Sequence, residues 1–321
     1  MKTNLLVGRL IAAGLLCSLW GCLATASTWA VSPFTWHEGD GHTDLMLDGK
    51  PILRHMHAHD TSTPERLHET YKPYTHVFDM DGADVITKGP GGEFTHHRGI
   101  FIGWNKLTHE GKVFDLWHMK SPATMIQQRF DALEATADKA RMVATIHWNG
   151  DDPQKPLLVE KREIVVHRTA NPNERLIDVT SSLTAVRGEV FLDGDPEHAG
   201  LQFRAHNDLS VAAKAKTGSA TYTFPTEDTD PRTEKGLAWA LMSYPLRGQT
   251  YHVQHMNHPN NPSNTVYSAY RDYGRFGAFF THRIADGQTL TLRYRIRITT
   301  GEKPTREELA AQHAAFVKAT R

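Results

Sequence analysis

The sequence predicts an all-β chain, one large antiparallel β-sandwich closed by a short C-terminal helix. Apolar and polar residues alternate in run after run, the period of half-buried strands. Clusters of Gly, Pro, Asp and Asn separate those runs. No repeat, linker or low-complexity tract interrupts residues 27–321, so they read as one β-sandwich domain.

At the N-terminus, Lys2 and Arg9 flank the start of an apolar run from Leu10 to Trp20, and Ala24-Thr25-Ala26 is a small-x-small cleavage signal. Residues 1–26 therefore read as a signal peptide, and the protein as periplasmic or secreted. Leu19-Trp20-Gly21-Cys22 also resembles a lipobox, so a lipid anchor at Cys22, as in an outer-membrane lipoprotein, is the alternative. Both cysteines, Cys17 and Cys22, lie in this segment. The mature chain has no disulfide to draw on and must be held by its core.

Asp44 to Leu53 reads as two short strands around the Asp48-Gly49 turn. Ile100 to Trp104 is a buried-strand run, and Gly99 and Gly103 mark close backbone approach. Ala140–Trp148, Leu157–His167 and Leu176–Leu183 alternate. From Thr289 to Thr299, Leu290, Leu292, Tyr294, Ile296 and Ile298 share one face. Arg293, Arg295 and Arg297 form the other, a solvated one. Thr305-x-x-Glu308 is a capping box, with Leu309, His313 and Phe316 behind it at helical spacing.

Composition excludes some functions. The 36 basic and 36 acidic residues balance, so no basic field is available for nucleic acid. Nothing after the leader is long and apolar enough to span a membrane. No G-x-S-x-G elbow, Walker loop, dinucleotide fingerprint or H-E-x-x-H pair is present. Histidine, at 20 residues, is the outlier, and it clusters. Its ordinary pKa near neutrality suits proton shuttling.

Five segments concentrate polar chemistry. His76 opens a Gly/Pro/Asp-rich loop that closes on His96-His97-Arg98-Gly99 before the apolar strand ending at Trp104. Successive strand residues face opposite ways, so His96 and His97 do different jobs. Arg98 is placed to stabilise an oxyanion or a carboxylate. Asp115-Leu-Trp117-His118 holds an acid, an indole and an imidazole. In Asp195-Pro-Glu-His198-Ala-Gly-Leu-Gln202-Phe-Arg204, the residues His198, Gly200, Gln202 and Arg204 would share a polar strand face. The segment from His252 to Pro262, with His258 and Asn261, reads as a proline-fixed loop. His55-x-His57-x-His59 could offer two imidazoles to a metal, but would need a third ligand from elsewhere, and no metal site is assigned.

Taken together, Lys50-Pro-Ile-Leu-Arg54, Lys72-Pro-Tyr-Thr-His76, Thr95-His-His-Arg-Gly99, Asp195-Pro-Glu-His198, His258-Pro-Asn-Asn-Pro262 with Tyr273-Gly274, and Leu292-Arg-Tyr-Arg295 resemble a bacterial family labelled methane oxygenase PmoA-like. The resemblance spans most of residues 45–301. It implies a large β-sandwich similar to galactose-mutarotase-like and polysaccharide-lyase domains, found beside sugar oxidoreductases and glycan-degrading enzymes. The methane oxygenase label fits poorly, because such a subunit sits in a membrane and this chain has no span for one.

The sequence thus leads to an exported carbohydrate-active enzyme, a lyase, hydrolase or epimerase. His97 and His198 would act as base and acid, with Arg98 and Arg204 stabilising an oxyanion. His76, His96, Trp104, Trp117, His118, Gln202, His258 and Asn261 would contact the sugar. A non-catalytic glycan-binding protein and a His-rich metalloprotein are the alternatives. The cofactor is not legible.

Overall fold

The computed structural model describes Met1 and residues 32–320. The predicted signal peptide and Cys22 lie outside the described residues. The chain begins with β1 (Phe34–Gly39), β2 (His42–Leu47), β3 (Lys50–Met56), α1 (Pro64–Thr70), β4 (Tyr74–Val77) and β5 (Ile100–Trp104). Next come β6 (Lys106–His109), β7 (Lys112–Phe114), β8 (Thr124–Ala135), β9 (Lys139–Asn149), β10 (Leu158–His167) and β11 (Glu174–Ala185). They are followed by β12 (Val190–Asp193), β13 (Ala199–Arg204), α2 (Asn207–Ala215), β14 (Thr221–Thr223), β15 (Trp239–Leu246) and β16 (Gln249–Asn257). Last are β17 (Val266–Ser268), β18 (Arg275–Phe279), β19 (His282–Ile284), β20 (Thr289–Thr300) and α3 (Arg306–Ala319).

These strands form three antiparallel sheets. One runs β1-β2-β3-β4-β5-β13-β18-β17 and the second β14-β15-β16-β20-β11-β10-β9-β8. A four-stranded sheet runs β19-β12-β6-β7. The two large sheets bury a shared core. Trp104 of β5 meets Trp148 of β9 across it, ring centres 6.0 Å apart. Trp104 is fully buried and donates its indole N–H to the Phe280 carbonyl, so it is a core residue and not a sugar contact.

The β2–β3 hairpin forms as expected, with Asp48 and Gly49 both at positive φ, the geometry of a two-residue turn. In β20 the predicted apolar face is buried from Leu292 to Ile298. Its arginine face is not solvated. Arg295 lies under α3 with its guanidinium over the Phe316 ring, and it forks onto Asp178 of β11 at 2.5 and 2.8 Å. Arg297 is paired with Glu174. The capping box at Thr305 and Glu308 is present and opens α3. Its buried Leu309 and Phe316 cover Trp239, Leu241 and Met256 on the outer face of the second sheet.

Two expectations about local structure are corrected. Residues 252–257 are not loop but the end of β16, paired to both β15 and β20. Alternation of a polar with an apolar face also fails in β13, where all six residues are buried. The strand is central, between β5 and β18, and covered on both faces. Gly200 sits there at φ +80°, and a Cβ on it would lie 1.8 Å from the Ala278 carbonyl oxygen.

One buried carboxylate in the core is satisfied by a network. Glu160 accepts from Trp148 Nε1, Ser181 Oγ and Arg162. His55 and His255 are buried and neutral. Burial holds His55 down at about 3, against the Gln127 hydrogen bond that works to raise it, and holds His255 at about 4. Both folded-state values lie below the ordinary histidine value, so the unfolded chain binds more protons at acid pH. The stability these residues contribute is intact above about pH 6.5 and is lost as pH falls from there toward 4 and then 3. The melting temperature is therefore expected to fall steadily from pH 7 to pH 4, with a shallower slope in His255→Gln. Calorimetric scans that are flat over that range would contradict this account.

Candidate functional site

The register of the small sheet creates the site. Asp193 of β12 lies opposite Lys106 and Phe114 of β7 lies opposite Leu107, on either side of β6. The chain therefore leaves β7 and β12 at the same end, and each strand exits into the same local device. Asp115 accepts from the backbone N–H groups of Trp117 and His118 and takes the His118 Nδ1–H at 2.8 Å. Asp195 accepts from Glu197 N and takes the His198 Nδ1–H at 2.9 Å. A carboxylate only accepts, so both imidazoles carry a proton on Nδ1 and turn Nε2 away from the aspartate.

Close backbone packing seats the two turns. Leu116 N donates to the Trp104 carbonyl, and a Cβ on Gly103 would lie 2.4 Å from the Leu116 carbonyl oxygen. The strand can approach the turn only because Gly103 has no side chain. Asn105, between β5 and β6, donates its side-chain N–H to Asp195 and its backbone N–H to the His198 carbonyl.

His96 completes the group from the loop before β5. Its ring centre is 4.4 Å from that of His118 and 6.4 Å from that of His198, and those two are 5.1 Å apart. One ring nitrogen from each of the three lies within 4.8 Å of the others. His96 Nε2 is buried with no hydrogen-bond partner among the described residues. Burial, then the neighbouring His118 imidazole and Lys72, push His96 down to about 2, so it is neutral. Burial works to raise Asp195, but the His198 and Asn105 hydrogen bonds bring it down to about 2.

Beneath the cluster lies Trp117, fully buried and edge-on to His198. Lys72 donates to the Trp117 carbonyl at 2.5 Å and lies over the Phe101 ring at 3.9 Å. Burial, then Arg98 and Arg204, hold the Lys72 amine well below the usual lysine range. Arg204 lies against the Trp117 ring, and its Nε and Nη1 are buried without partners among the described residues.

Of the three, His118 alone lines a cavity of about 260 Å³, where it faces Pro64 and Leu67 of α1 together with Tyr71, Met119 and Pro122. His68 of α1 lines this cavity and also a second one, bounded by Pro90, Gly91 and Thr95.

The sequence-predicted residues divide accordingly. His96, His118 and His198 meet. His97 adjoins them but is buried, its ring between Phe94 at 4.9 Å and His96 at 4.5 Å. Burial, then Arg204, push it well below the usual histidine range. Arg98 gives its Nη1 and Nη2 hydrogens to the carbonyls of Thr95, His97 and His68, which ties the His96 loop to α1. It is a positioning residue. Gln202 is buried and donates to the Ala199 carbonyl. His76 is buried against Thr87 and Tyr74. His258 packs on Phe316 of α3, and Asn261 bonds to Asn257 and the Arg293 carbonyl, so this segment serves the helix and not the cluster. His55 has both ring nitrogens occupied, by Thr75 and Gln127, and His57 bonds to Thr43, so the 55–59 run holds no common ion.

Sequence reasoning missed the two aspartates as orienting groups, and Lys72 altogether. The signal was available. Asp115-x-x-His118 and Asp195-x-x-His198 repeat one spacing, each just after a short strand.

A family model of unknown function, DUF6807, matches residues 42–314. The chain belongs to that family. This corrects the resemblance to methane oxygenase PmoA-like proteins, since the matching model is DUF6807. Among the described residues, no helix is long and apolar enough to cross a membrane. No curated protein matches the sequence. Among solved structures, this DUF6807 chain is similar to a heparinase III, at 10% identity and TM-score 0.35, over 85% of this chain and 35% of that one. It is also similar to a heparan sulfate lyase from Pedobacter heparinus, at 12% identity and TM-score 0.32, over 84% of this chain and 35% of that one. A galactose mutarotase related enzyme from Lactobacillus acidophilus matches at 9% identity and TM-score 0.30, over 71% of this chain and 94% of that one. The DUF6807 chain spans about a third of the length of the heparinase III and of the heparan sulfate lyase. Its all-β class stands on its own three antiparallel sheets.

Arg98 ties the His96 loop to α1 through a planar fork of charged donors, which lysine cannot reproduce. Arg98→Lys is expected to cost at least about 2 kcal/mol of stability. It should also open the Gly91-Gly92 segment to limited proteolysis. An unchanged melting temperature and cleavage pattern would show that the fork is dispensable.

Proposed function

We propose that this protein is an exported carbohydrate-active enzyme whose acid/base centre is the His96–His118–His198 cluster. The observation that carries this reading is the pair of Asp-backed imidazoles, Asp115–His118 and Asp195–His198, meeting a third imidazole beside a cavity. An aspartate behind a histidine fixes its tautomer and stabilises the imidazolium that forms when it takes a proton. Two such imidazoles about 5 Å apart, ring centre to ring centre, suit a reaction with one proton removed and one delivered. That need is common to lyase, hydrolase and epimerase chemistry on a sugar.

The cavity supports a sugar as the ligand. Pro64, Leu67, Met119 and Pro122 offer an apolar wall, while His68, Tyr71 and His118 supply polar groups. A pyranose has an apolar face and a hydroxyl rim, and it fits such a mixed lining. Trp117 and Arg204 are both fully buried, so neither touches a ligand as the sequence led one to expect. Arg204 has no carboxylate in direct contact, and its positive potential would favour negative charge developing at the cluster from a distance. His198 keeps the acid/base role expected of it, and His118 takes the one expected of the buried His97. Export rests on the leader-like residues 1–26.

A panel of glycans, glycosides and oxidised sugars tests this reading. Turnover on at least one member is expected, with His118→Gln and His198→Gln each losing about 10²–10⁴-fold in kcat. The exposed His37→Ala should retain full activity. Full turnover in the His118→Gln/His198→Gln double variant would end the proposal. Sugar binding without turnover would replace it with a glycan-binding role.

A further inference from the structure

The three imidazoles of the cluster share an unusual property. None donates a hydrogen bond to another, although their ring centres are 4.4–6.4 Å apart. Asp115 and Asp195 hold the Nδ1–H of His118 and His198, which leaves Nε2 of each ring without a protein partner among the described residues. One ring nitrogen of each lies within 4.8 Å of one on His96, whose Nε2 is buried and unpartnered among the described residues. The His96 Nε2 is buried without compensation, and a buried polar atom left unpaired costs about 1–3 kcal/mol. A cation accepted by all three would remove that cost.

We propose that His96, His118 and His198 are the three protein ligands of a divalent first-row transition metal, zinc in the first instance, with the fourth position open to water or to a substrate oxygen. This rests on the same cluster and the same proposed activity but alters its chemistry. An Nε2 bound to a metal cannot shuttle a proton, so with the ion in place His118 and His198 are ligands and the acid/base role would pass to a water in the open position. Three neutral imidazoles with one open position are a donor set suited to catalytic zinc, and imidazole also suits copper, iron and nickel. The aspartates are the orienting groups such a centre needs, since a metal-binding histidine commonly gives its other N–H to a carboxylate. They are anchored in turn, Asp195 by Asn105 and Asp115 by two backbone N–H groups.

Distance permits the ion. Bonds of about 2.0–2.1 Å in a tetrahedron place ligand nitrogens about 3.4 Å apart. The three donors already lie within 4.8 Å of one another, and all three rings are partly exposed and free to close by side-chain rotation. Charge permits it as well. Arg204 opposes a cation, but the Asp115 and Asp195 carboxylates stand directly behind two of the rings, while Glu197 is already paired with Arg271 and Arg275 and burial lowers the Lys72 amine.

The test uses protein prepared without a histidine tag. Metal analysis after zinc loading and desalting should find about one ion per chain. Cobalt(II) added to chelated protein should give the intense visible bands of a tetrahedral site. His118→Ala and His198→Ala should abolish both signals while keeping a native circular dichroism spectrum. Asp115→Asn and Asp195→Asn, which preserve shape and guard against misfolding of the alanine variants, should weaken affinity about 10–100-fold. His57→Ala should change nothing. Absence of stoichiometric uptake of zinc, cobalt, copper, iron or nickel would overturn the proposal, as would equal uptake by a folded His96→Ala/His118→Ala/His198→Ala variant. Turnover that survives complete metal removal would overturn it and leave the enzymatic reading standing. A loaded protein that turns over no glycan would leave the metal centre standing and end the enzymatic reading.

Discussion

The Glu160–Arg162 pair couples the core of this protein to its site. Glu160 is fully buried, and its carboxylate is satisfied by Trp148, Ser181 and the Arg162 fork within the second sheet. Arg162 then reaches across the sandwich to the Pro73 carbonyl at the start of β4. The neighbouring Lys72 holds the Trp117 carbonyl, and Tyr71 accepts from Met125. The turn bearing His118 is thus hung from a segment that the core network pins. Removing one partner of a buried pair strands the other charge and costs about 3–5 kcal/mol. A pair placed here secures geometry as much as stability, because the imidazoles are useful only if their separations hold.

The site has a consistent electrostatic layering. Carboxylates stand behind His118 and His198, imidazoles face the open space, and an indole with two buried basic side chains forms the floor. Burial lowers the Lys72 amine, which is held by its hydrogen bond to the Trp117 carbonyl and its packing on Phe101. Arg98 follows the same logic in the wall, where its fork is spent on backbone carbonyls. Groups that look like charged reagents in a linear reading become fixtures once buried, while the carboxylates that look structural orient the reactive rings.

The sheet architecture was legible because strand burial has a period of two, and β10 and β11 keep that period over ten and twelve residues. It failed at β13, where a central strand covered on both faces buries polar and apolar residues alike. The two shorter helices were not anticipated. At seven and nine residues, α1 and α2 are too short to show a helical period, although Thr63-Pro64-Glu65 carries the cap and first-turn chemistry of a helix start. His258 and Asn261 misled for a related reason. Their amides and imidazole suit a ligand loop, but the same groups close the end of β20 against α3.

By itself the sequence determined the antiparallel β class, the capped final helix and the presence of histidine beside aspartate at residues 115–118 and 195–198. Each follows from local chemistry, read over a few residues. Only the tertiary structure decided which histidines meet. Residues 96, 118 and 198 are brought together by strand register in the small sheet and by the absence of a side chain at Gly103. Those are long-range pairings, and one residue of slip in either strand would turn an imidazole to the opposite face.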